Sequence, residues 1–526
     1  MKLRRDENGL SINGHWKRGF FSFLFSPIFL SILSILLELI VLGAVWYYLG
    51  EVLAMYLVGF RTGLVLLFSL IIINSKMESS AKLTWLFFIA LFVYIGVLFF
   101  LMSKIGSYRK TRRKLRAEYE KNNNLHPQND GTLVNLEKVD HDSYLMANYL
   151  YETHHYPVYQ NTSVKYYPLG EDKFEDLLKD LENAKEFIFL EYFIIEEGYM
   201  WGHMLDILER KAREGVDVRV IYDGTCSMSN LRAHYYKRLQ KIGIQAKIWN
   251  RIKPHFSSTL NYRDHRKILV IDNKIAYNGG VNLADEYINR KKRFGHWKDT
   301  AVRLEGEAVS RFTTMFLANW HAEDYKHGPI DFSPHLKNHH SIPSDGFVIP
   351  YATNPLEHEK IAEMVYFNLI NTAKDYIHII TPYLVLDDEL MTALRVAAMK
   401  KVDVRIIVPG IPDKKNVWFL AKAHYRRLLD AGAHIYEYTP GFTHAKVFVS
   451  DHQKGVVGTI NLDYRSLYHH FECATYLSNN SCIKDIDKDF DETMAKSHEI
   501  TYEDVKKNSL WRKFMGAVMR LIAPLL

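Results

Sequence analysis

Two segments of the chain repeat one pattern of chemically reactive side chains. Each has a histidine, a lysine two positions later and an aspartate seven positions after the histidine, followed by two small residues and an asparagine. Because side chains alternate along a strand, each histidine and its lysine should project from the same face. The first set comprises His265, Lys267, Asp272, Gly279, Gly280 and Asn282, and the second comprises His444, Lys446, Asp451, Gly458, Thr459 and Asn461.

An imidazole beside a fixed ammonium group is suited to phosphate chemistry. The imidazole can attack phosphorus or transfer a proton, while Lys267 and Lys446 supply positive charge. Asn282 and Asn461 add amide donors that could bind the phosphate. A lone histidine near the start of a strand is more often structural, but two copies at one spacing favour a functional pair.

If the two halves pack about a pseudo-twofold axis, His265 and His444 meet at one site. One imidazole must then be neutral to attack phosphorus, and the other must be protonated to release an alkoxide. This arrangement predicts phosphoryl transfer through a covalent intermediate. The segments contain no cluster with metal-ligand spacing, so neither a metal nor a cofactor is expected.

Each imidazole also needs a partner that fixes its tautomer. Asp299 in HWKDTAVRL and Glu472 in HHFECATYL stand at comparable places, each just before a predicted strand. We expect them to orient the histidines, with the alternative that they are surface acids. Asp272 and Asp451 are candidate catalytic residues, and the alternative for them is a structural role in capping the turns after their strands.

The repeat extends well beyond the histidine segments. NAKEFIFLEYFI at 183–194 resembles TAKDYIHIITPY at 372–383, and GVDVRVIYDG at 215–224 resembles KVDVRIIVPG at 401–410. Helical patterns alternate with apolar runs that are typical of strands buried on both faces. The sequence therefore predicts an α/β fold of two pseudo-symmetric sandwich domains.

The N-terminal part of the chain indicates a membrane anchor. Residues 84–102 carry no charge, and the segment from Lys104 to Arg116 contains seven lysines and arginines. The first stretch is long enough to span a bilayer, and the basic run marks the cytoplasmic side. The predicted spans are about 52–74 and 82–103, and an extra apolar segment at about 19–49 is left open.

A turn near Gly50 would fold the first apolar stretches into a hairpin. Glu38 and Arg61 would then lie at similar depth, and an intramembrane charge usually needs such a partner, so we predict that they pair. The basic N-terminus, which includes Arg4 and Arg5, favours the cytoplasmic side and conflicts with three crossings.

The C-terminal segment SLWRKFMGAVMRLIAPLL predicts an amphipathic helix. Trp511, Met515, Val518 and Ile522 share one helical face, with basic residues elsewhere. This pattern is typical of a helix that lies in a membrane interface. The alternative is a helix that packs on the rest of the protein.

Composition limits the functional classes further. The chain has 526 residues, of which 48% are hydrophobic and 24% charged, and a formal net charge of +7. This charge is too small to indicate nucleic acid and fits anionic membrane lipids. The three cysteines form no metal spacing and no disulfide framework, so a reducing cytosol is expected for the soluble part. Self-association into a homo-oligomer is left open.

The paired HxKxxxxD motifs, followed by GGVN and GTIN, resemble the signature of the phospholipase D superfamily over about residues 140–526. LEYFI, GHWKDT, TPYLVLDDEL and FTHAKVFVSD further resemble bacterial cardiolipin synthases. The resemblance implies reversible phosphatidyl transfer between two phosphatidylglycerol molecules, which yields cardiolipin and glycerol through a phosphatidyl-histidine. It implies that His265 attacks and that His444 acts as acid and then base, an assignment that the symmetric motifs alone do not make. It also implies a multi-pass protein of the bacterial cell membrane with its catalytic domains in the cytoplasm.

Two other functions remain open at this point. A hydrolase of the same superfamily would act on phospholipid or nucleic acid, and the predicted anchor argues against a nuclease. A non-catalytic membrane protein with a decayed site is the other alternative, which two intact His/Lys/Asn sets argue against. The predicted organisation is a transmembrane anchor at 1–105, a basic and polar linker at 106–140, phospholipase-D-like domains at 141–345 and 346–507, and an amphipathic helix at 508–526.

Overall fold

The chain folds into two compact units of unequal size. The larger unit contains residues 1–15, 109–251 and 262–517, and the smaller unit contains residues 16–108, 252–261 and 518–526. The start of the predicted 19–49 segment lies outside the described residues. The computed structural model describes residues 4–11, 27–104, 108–232, 234–252, 262–337, 340–357, 359–507 and 510–525.

The larger unit begins with a small antiparallel hairpin that packs on a helix of the first half. Its strands are β1 (Arg4–Asp6) and β2 (Gly9–Ser11). Gly9 lies so close to Gly202 that a Cβ on Gly9 would come within 2.4 Å of the Gly202 carbonyl carbon. The N-terminal residues of the chain therefore belong to the same compact unit as the two halves of the repeat.

The first half of the repeat forms a mixed sheet. The apolar runs FIFLEY and KILVI are buried along their whole length, as predicted for central strands. The spatial order of the strands is β3 (Thr162–Tyr167), β11 (Ala301–Gly306), β9 (Ile275–Gly279), β8 (Lys267–Ile271), β4 (Phe187–Tyr192), β5 (Asp217–Asp223) and β6 (Gln245–Trp249).

The second half builds the same sheet again. Apart from β20 at the far edge, each strand has a counterpart in the first sheet, so the predicted duplication and α/β fold are confirmed. The spatial order is β12 (Phe347–Thr353), β19 (His470–Ser478), β18 (Lys454–Gly458), β17 (Val447–Ser450), β13 (Tyr376–Ile380), β14 (Asp403–Pro409), β15 (His434–Tyr438) and β20 (Ser497–Glu499).

Short strands join the two halves. β7 (Arg263–Asp264) pairs in parallel with the start of β19, and β10 (His296–Lys298) pairs in parallel with β16 (Gly441–Thr443). Contacts group both halves into one unit, so the predicted boundary at 345/346 separates two sheets within that unit.

Helices cover these sheets. For example, the helix that follows β11 packs on β8 and β4. The helices of the larger unit are α4 (Tyr108–Asn122, whose first residue belongs to the smaller unit), α5 (Asp130–Val139), α6 (His141–His154), α7 (Gly170–Glu182), α8 (Tyr199–Arg213), α9 (Cys226–Ser229), α10 (Tyr235–Lys241), α11 (Val309–His321), α12 (Ile361–Thr372), α13 (Asp388–Met399), α14 (Lys415–Leu429), α15 (Ile483–Met494) and α16 (Tyr502–Lys506).

Most of the predicted linker at 106–140 is helical, since α4 and α5 lie within it. In α4, Lys114 forms a buried ion pair with Glu118 at 2.8 Å and donates a hydrogen bond to the His327 carbonyl at 2.9 Å. The polar composition of this segment thus reflects a helix that is docked through its charged groups.

The smaller unit differs from the predicted anchor. α1 (Pro27–Ile73) is one continuous helix, and within the described residues its part Met55–Ile73 is the one segment long and apolar enough to cross a membrane. The predicted hairpin at Gly50 is therefore wrong. Glu38 and Arg61 lie about 35 Å apart along this helix at 1.5 Å per residue, so they do not pair.

The predicted continuous span at 82–103 is also not observed. The chain forms two short helices, α2 (Ser79–Leu91) and α3 (Val93–Lys104), which fold back on each other at Phe92. The rings of Trp85 and Phe100 are 5.4 Å apart across this hairpin. Each helix is about 20 Å long, which is shorter than the ~30 Å hydrocarbon core of a bilayer.

The C-terminal helix, α17 (Leu510–Ile522), is amphipathic as predicted and is partly buried. Gly516 and Met519 are buried, whereas Trp511 and Phe514 are 64% and 58% exposed. One side of the helix is therefore packed, and a stripe of large apolar side chains on another side faces outward. Phe514 belongs to this stripe in place of the predicted Met515, which is half-buried.

Candidate active site

The strand pairs that join the two halves place each motif histidine beside a carboxylate of the opposite half. Asp264 pairs with Phe471, so the next residues along both strands are His265 and Glu472. In the same way, Lys298 pairs with Thr443, and the next residues are Asp299 and His444. The halves thus exchange partners across a pseudo-twofold axis.

Direct hydrogen bonds join both pairs of residues. His265 Nδ1 lies 2.9 Å from each carboxylate oxygen of Glu472, and His444 Nδ1 lies 2.6 Å from Asp299 Oδ2. Both carboxylates have no exposed surface, and both histidines are 6% exposed. Because Nδ1 is engaged, Nε2 of each imidazole is the nitrogen left for a substrate.

The two carboxylates are held differently, and the difference explains why the motifs read GG in one half and GT in the other. A Cβ on Gly280 would come within 2.0 Å of Asp299 Oδ1, so only glycine leaves room for this carboxylate. Thr459, at the equivalent place, instead donates its hydroxyl to Glu472 Oε2. Sequence reasoning noted small residues at both positions and missed the Thr459 hydroxyl.

Each motif lysine is hydrogen-bonded to the backbone of its own motif histidine. Lys267 Nζ donates to the His265 carbonyl at 2.5 Å, and Lys446 Nζ donates to the His444 carbonyl. Each lysine is 1% exposed. Burial lowers the pKa of Lys267 to about 8 and that of Lys446 to about 7. A bound anion would therefore stabilise the protonated form of both lysines.

Burial sets the charge state of the histidines as well. It lowers the pKa of His444 to about 4, with a further contribution from Lys446, and it lowers the pKa of His265 well below 6.5, with a further contribution from Lys267. Both rings are therefore neutral at neutral pH before an anion binds. The strand pairs β7–β19 and β10–β16 bring both histidines to the junction of the two halves.

The two motif asparagines are buried near this cluster but are not equivalent. Asn282 accepts the Ile194 N–H at 3.1 Å and donates to the Tyr287 hydroxyl at 2.7 Å. Asn461 is 3% exposed, and its Oδ1 has no hydrogen-bond partner in the described part of the chain. Of the two amides, Asn461 is the freer to bind a ligand.

The motif aspartates do not join the cluster. Asp272 accepts the backbone N–H groups of Lys185, Glu186 and Phe187, each at 2.8 Å. Asp451 makes the same contacts at 374–376, at 2.9–3.0 Å. Both aspartates lie at the end of their strand that is remote from the histidine. There they stabilise the start of the neighbouring strand, β4 or β13, through these hydrogen bonds. These contacts are structural, but they go to the neighbouring strand and not to the turns considered in the sequence-based alternative.

Another histidine, His470, lies beside His265 and was not singled out in the sequence. Its position two residues before Glu472, on the same face of β19, is the signal that could have found it. Among the described residues, His265, His470 and Glu472 form the group close enough to hold a metal, with ligand atoms within 4.8 Å of one another. Lys267 and Lys446 would repel a divalent cation at this place.

Comparisons with known proteins show which family the chain resembles. The family profile described as "Cardiolipin synthase, PLD-like domain" matches residues 177–320 and 366–494, once in each half. The cardiolipin synthase of Alkalihalophilus pseudofirmus is 32% identical over 88% of this chain and 92% of its own length. The cardiolipin synthase of Halalkalibacterium halodurans is 30% identical over 94% and 99% of the two chains.

Two further relatives extend the comparison. An uncharacterized protein of Streptococcus mutans is 51% identical over 87% of this chain and 99% of its own length. The crystal structure of phosphatidylserine synthase from Haemophilus influenzae superposes with a TM-score of 0.53, at 14% identity, over 69% of this chain and 95% of that one. This likeness shows a shared fold. Together, the family match in both halves and the relatives alike over most of their length show that the chain belongs to the cardiolipin synthase family of PLD-like proteins.

Proposed function

We propose that this chain is a cardiolipin synthase that transfers a phosphatidyl group from one phosphatidylglycerol to another and releases glycerol. The observation that carries the proposal is the pair of neutral imidazoles, each bonded to a carboxylate of the opposite half and flanked by buried lysines. Such a site can bind one phosphodiester and offer it both a nucleophile and a proton donor.

In the first step, His265 Nε2 attacks phosphorus and the bond from phosphorus to the glycerol oxygen breaks. His444 gives its Nε2 proton to that oxygen, so glycerol leaves as a neutral alcohol. In the free protein, burial and the charge of Lys446 outweigh Asp299 and keep His444 neutral. The added negative charge of a bound phosphate favours uptake of a proton from water at Nε2 before this step. Lys267 and Lys446 balance the charge that builds on the phosphoryl oxygens.

In the second step, the glycerol hydroxyl of another phosphatidylglycerol attacks the phosphatidyl-histidine. His444 takes the proton of this hydroxyl, and the bond between phosphorus and His265 Nε2 breaks. The enzyme returns to its starting state, and the product is cardiolipin. Because the same groups serve both steps, the reaction is reversible.

The test is a lipid-product assay on the full chain reconstituted in vesicles that contain labelled phosphatidylglycerol. We expect cardiolipin and free glycerol from the wild-type protein and no turnover from His265→Ala or His444→Ala. His452→Ala is the matched control, because this histidine is on an exposed turn with its side chain 76% exposed. Phosphatidic acid as the sole product would instead identify a phospholipid hydrolase.

We also propose that residues 27–104 anchor the protein in the bacterial membrane with both ends on the cytoplasmic side. The N-terminal hairpin supports this, because Arg5 bonds Asp206 and Glu209 at 2.8 and 2.7 Å within the larger unit. The chain re-enters that unit at Arg109, so any crossings between these points must be even in number. The basic run after Lys104 favours the cytoplasm.

The topology can be tested by labelling single cysteines at both ends of the anchor in intact cells. Both cysteines should be protected from the label on the same side of the membrane, and labelling from opposite sides would refute this topology.

A further inference from the structure

His470 is a buried imidazole next to the histidine proposed to attack the lipid. It is 7% exposed, and neither ring nitrogen has a hydrogen-bond partner among the residues that the structure describes. The rings of His470 and His265 are 5.4 Å apart, and His470 Nδ1 is 3.5 Å from Glu472 Oε1. A buried polar group without a partner destabilises a fold, so such a group at a reaction centre points to a ligand.

The position of His470 suits contact with a ligand that enters from outside. β19 begins at His470, directly after the helical turn Arg465–His469, and continues into the core. His470 is therefore nearer to the start of β19 than Glu472 is. After burial, the charges of Arg465, His469 and Lys267 contribute most to lowering the pKa of His470 well below 6.5, which keeps the ring neutral.

The charges around His470 indicate which class of ligand it would meet. Glu472 is the carboxylate beside the imidazole, and the other charges that act on it most strongly are those of Arg465, His469 and Lys267. Lys267 would repel a divalent cation at this place. A neutral imidazole can donate through one nitrogen and accept through the other. An oxygen-rich, anionic headgroup therefore fits this place, and a metal ion does not.

The first half offers a contrast at the equivalent position. Trp297 precedes Asp299 by two residues, as His470 precedes Glu472, and its ring lies 5.8 Å from that of His444. An indole can donate a hydrogen bond but cannot accept one. The two motif histidines thus have different ring neighbours at this position, and the imidazole neighbour belongs to the His265 side.

We propose that His470 binds an oxygen of the phospholipid headgroup, either a phosphoryl oxygen or a glycerol hydroxyl, while His265 is in reaction with the phosphorus. This inference rests on the proposed function and adds a residue that selects and positions the lipid. His470 is not required for the bond changes themselves.

The experiment compares His470→Leu with His470→Asn in the full chain, with mixed vesicles of phosphatidylglycerol and phosphatidylcholine. Loss of one neutral hydrogen bond should raise KM about two- to tenfold with a smaller change in kcat. His470→Asn keeps a donor and an acceptor and should recover much of this loss. A merely structural role through Glu472 would lower kcat and shift its pH profile instead. His378→Leu is the matched control, because His378 is mostly buried at 12% side-chain exposure and contacts Tyr376 and Phe490.

A second donor lipid distinguishes the two sources of the oxygen. If His470 contacts a glycerol hydroxyl, the penalty in His470→Leu appears with phosphatidylglycerol and is absent with phosphatidylethanol, whose headgroup lacks hydroxyls. If it contacts a phosphoryl oxygen, both donors are penalised equally. Unchanged kinetics in a folded His470→Leu protein, or no recovery in His470→Asn, would overturn the proposal. If the wild-type protein yields only phosphatidic acid, the transferase assignment is wrong. The His470 proposal can still be tested in that case, because the same KM comparison can be made for hydrolysis.

Discussion

Gly280→Ala should disable the site through a single methyl group. The new Cβ would lie 2.0 Å from Asp299 Oδ1 and 2.8 Å from its Cγ, whereas ordinary contacts are 3.4–4 Å. The carboxylate must therefore retreat by more than about 1 Å, which takes the 2.6 Å bond to His444 beyond hydrogen-bonding range. A hydrogen bond to a charged group contributes about 1.5–3 kcal/mol. At 1.36 kcal/mol per tenfold, we expect kcat/KM to fall roughly 10- to 150-fold.

The equivalent position in the other half provides the comparison. Thr459→Ala places the same methyl group where room already exists and removes only the hydroxyl that bonds Glu472. Both hydrogen bonds between Glu472 and His265 remain in this variant, so the loss in kcat/KM should be smaller than that of Gly280→Ala. Gly455→Ala is a control for adding a methyl group to a strand, because its nearest contact would be an ordinary 3.4 Å.

Cardiolipin formation by the three variants in phosphatidylglycerol vesicles, with thermal melting of each protein, is the required measurement. The expected order of activity is Gly455→Ala, then Thr459→Ala, then Gly280→Ala, with all three proteins folded. A Gly280→Ala protein as active as Thr459→Ala would refute the argument that the Asp299 carboxylate fills the space left by the glycine.

Three other outcomes follow from the contacts of the larger unit. Lys298→Ala leaves Asp489 buried without the ammonium group 2.7 Å away, so the free energy of unfolding should fall by about 3–5 kcal/mol, seen as a lower melting temperature. Since burial lowers the pKa of Lys446 to about 7 and of Lys267 to about 8, both lose charge as pH rises through this range, and kcat/KM should fall there; a flat profile to pH 9.5 would contradict this. Asp272→Ala removes the acceptor of three backbone N–H groups and should lower the melting temperature, whereas kcat of the folded protein should be unchanged. A loss of kcat without a lower melting temperature would instead indicate a catalytic role for Asp272.

The sequence predicted the parts of the larger unit in which a local pattern determines the structure. Apolar runs such as KILVI became central strands, because a strand buried on both faces needs an apolar side chain at every position. The duplication also allowed both motif histidines to be placed in one site. It could not show that each histidine takes its carboxylate from the opposite half, since that depends on how β7 and β10 pair across the interface.

The smaller unit shows where such reasoning failed. Hydropathy identifies apolar stretches, but the break at Phe92 and the continuity of α1 through Gly50 carry no strong local signal. A glycine within a helix costs only about 1 kcal/mol relative to alanine, so tertiary packing can override it. Similarly, no pattern in the sequence reveals that His470 has no hydrogen-bond partner among the residues that the structure describes, because that depends on everything packed around it.

The crosswise exchange of carboxylates has a consequence for how the protein is made. While a ribosome is still translating the second half, His265 is already present but the glutamate that fixes its tautomer has not been synthesised. A nascent chain inserted in the membrane by its N-terminal segment would therefore be catalytically inactive. Lipids near the translating ribosome would not react until the second half of the polypeptide has folded against the first half.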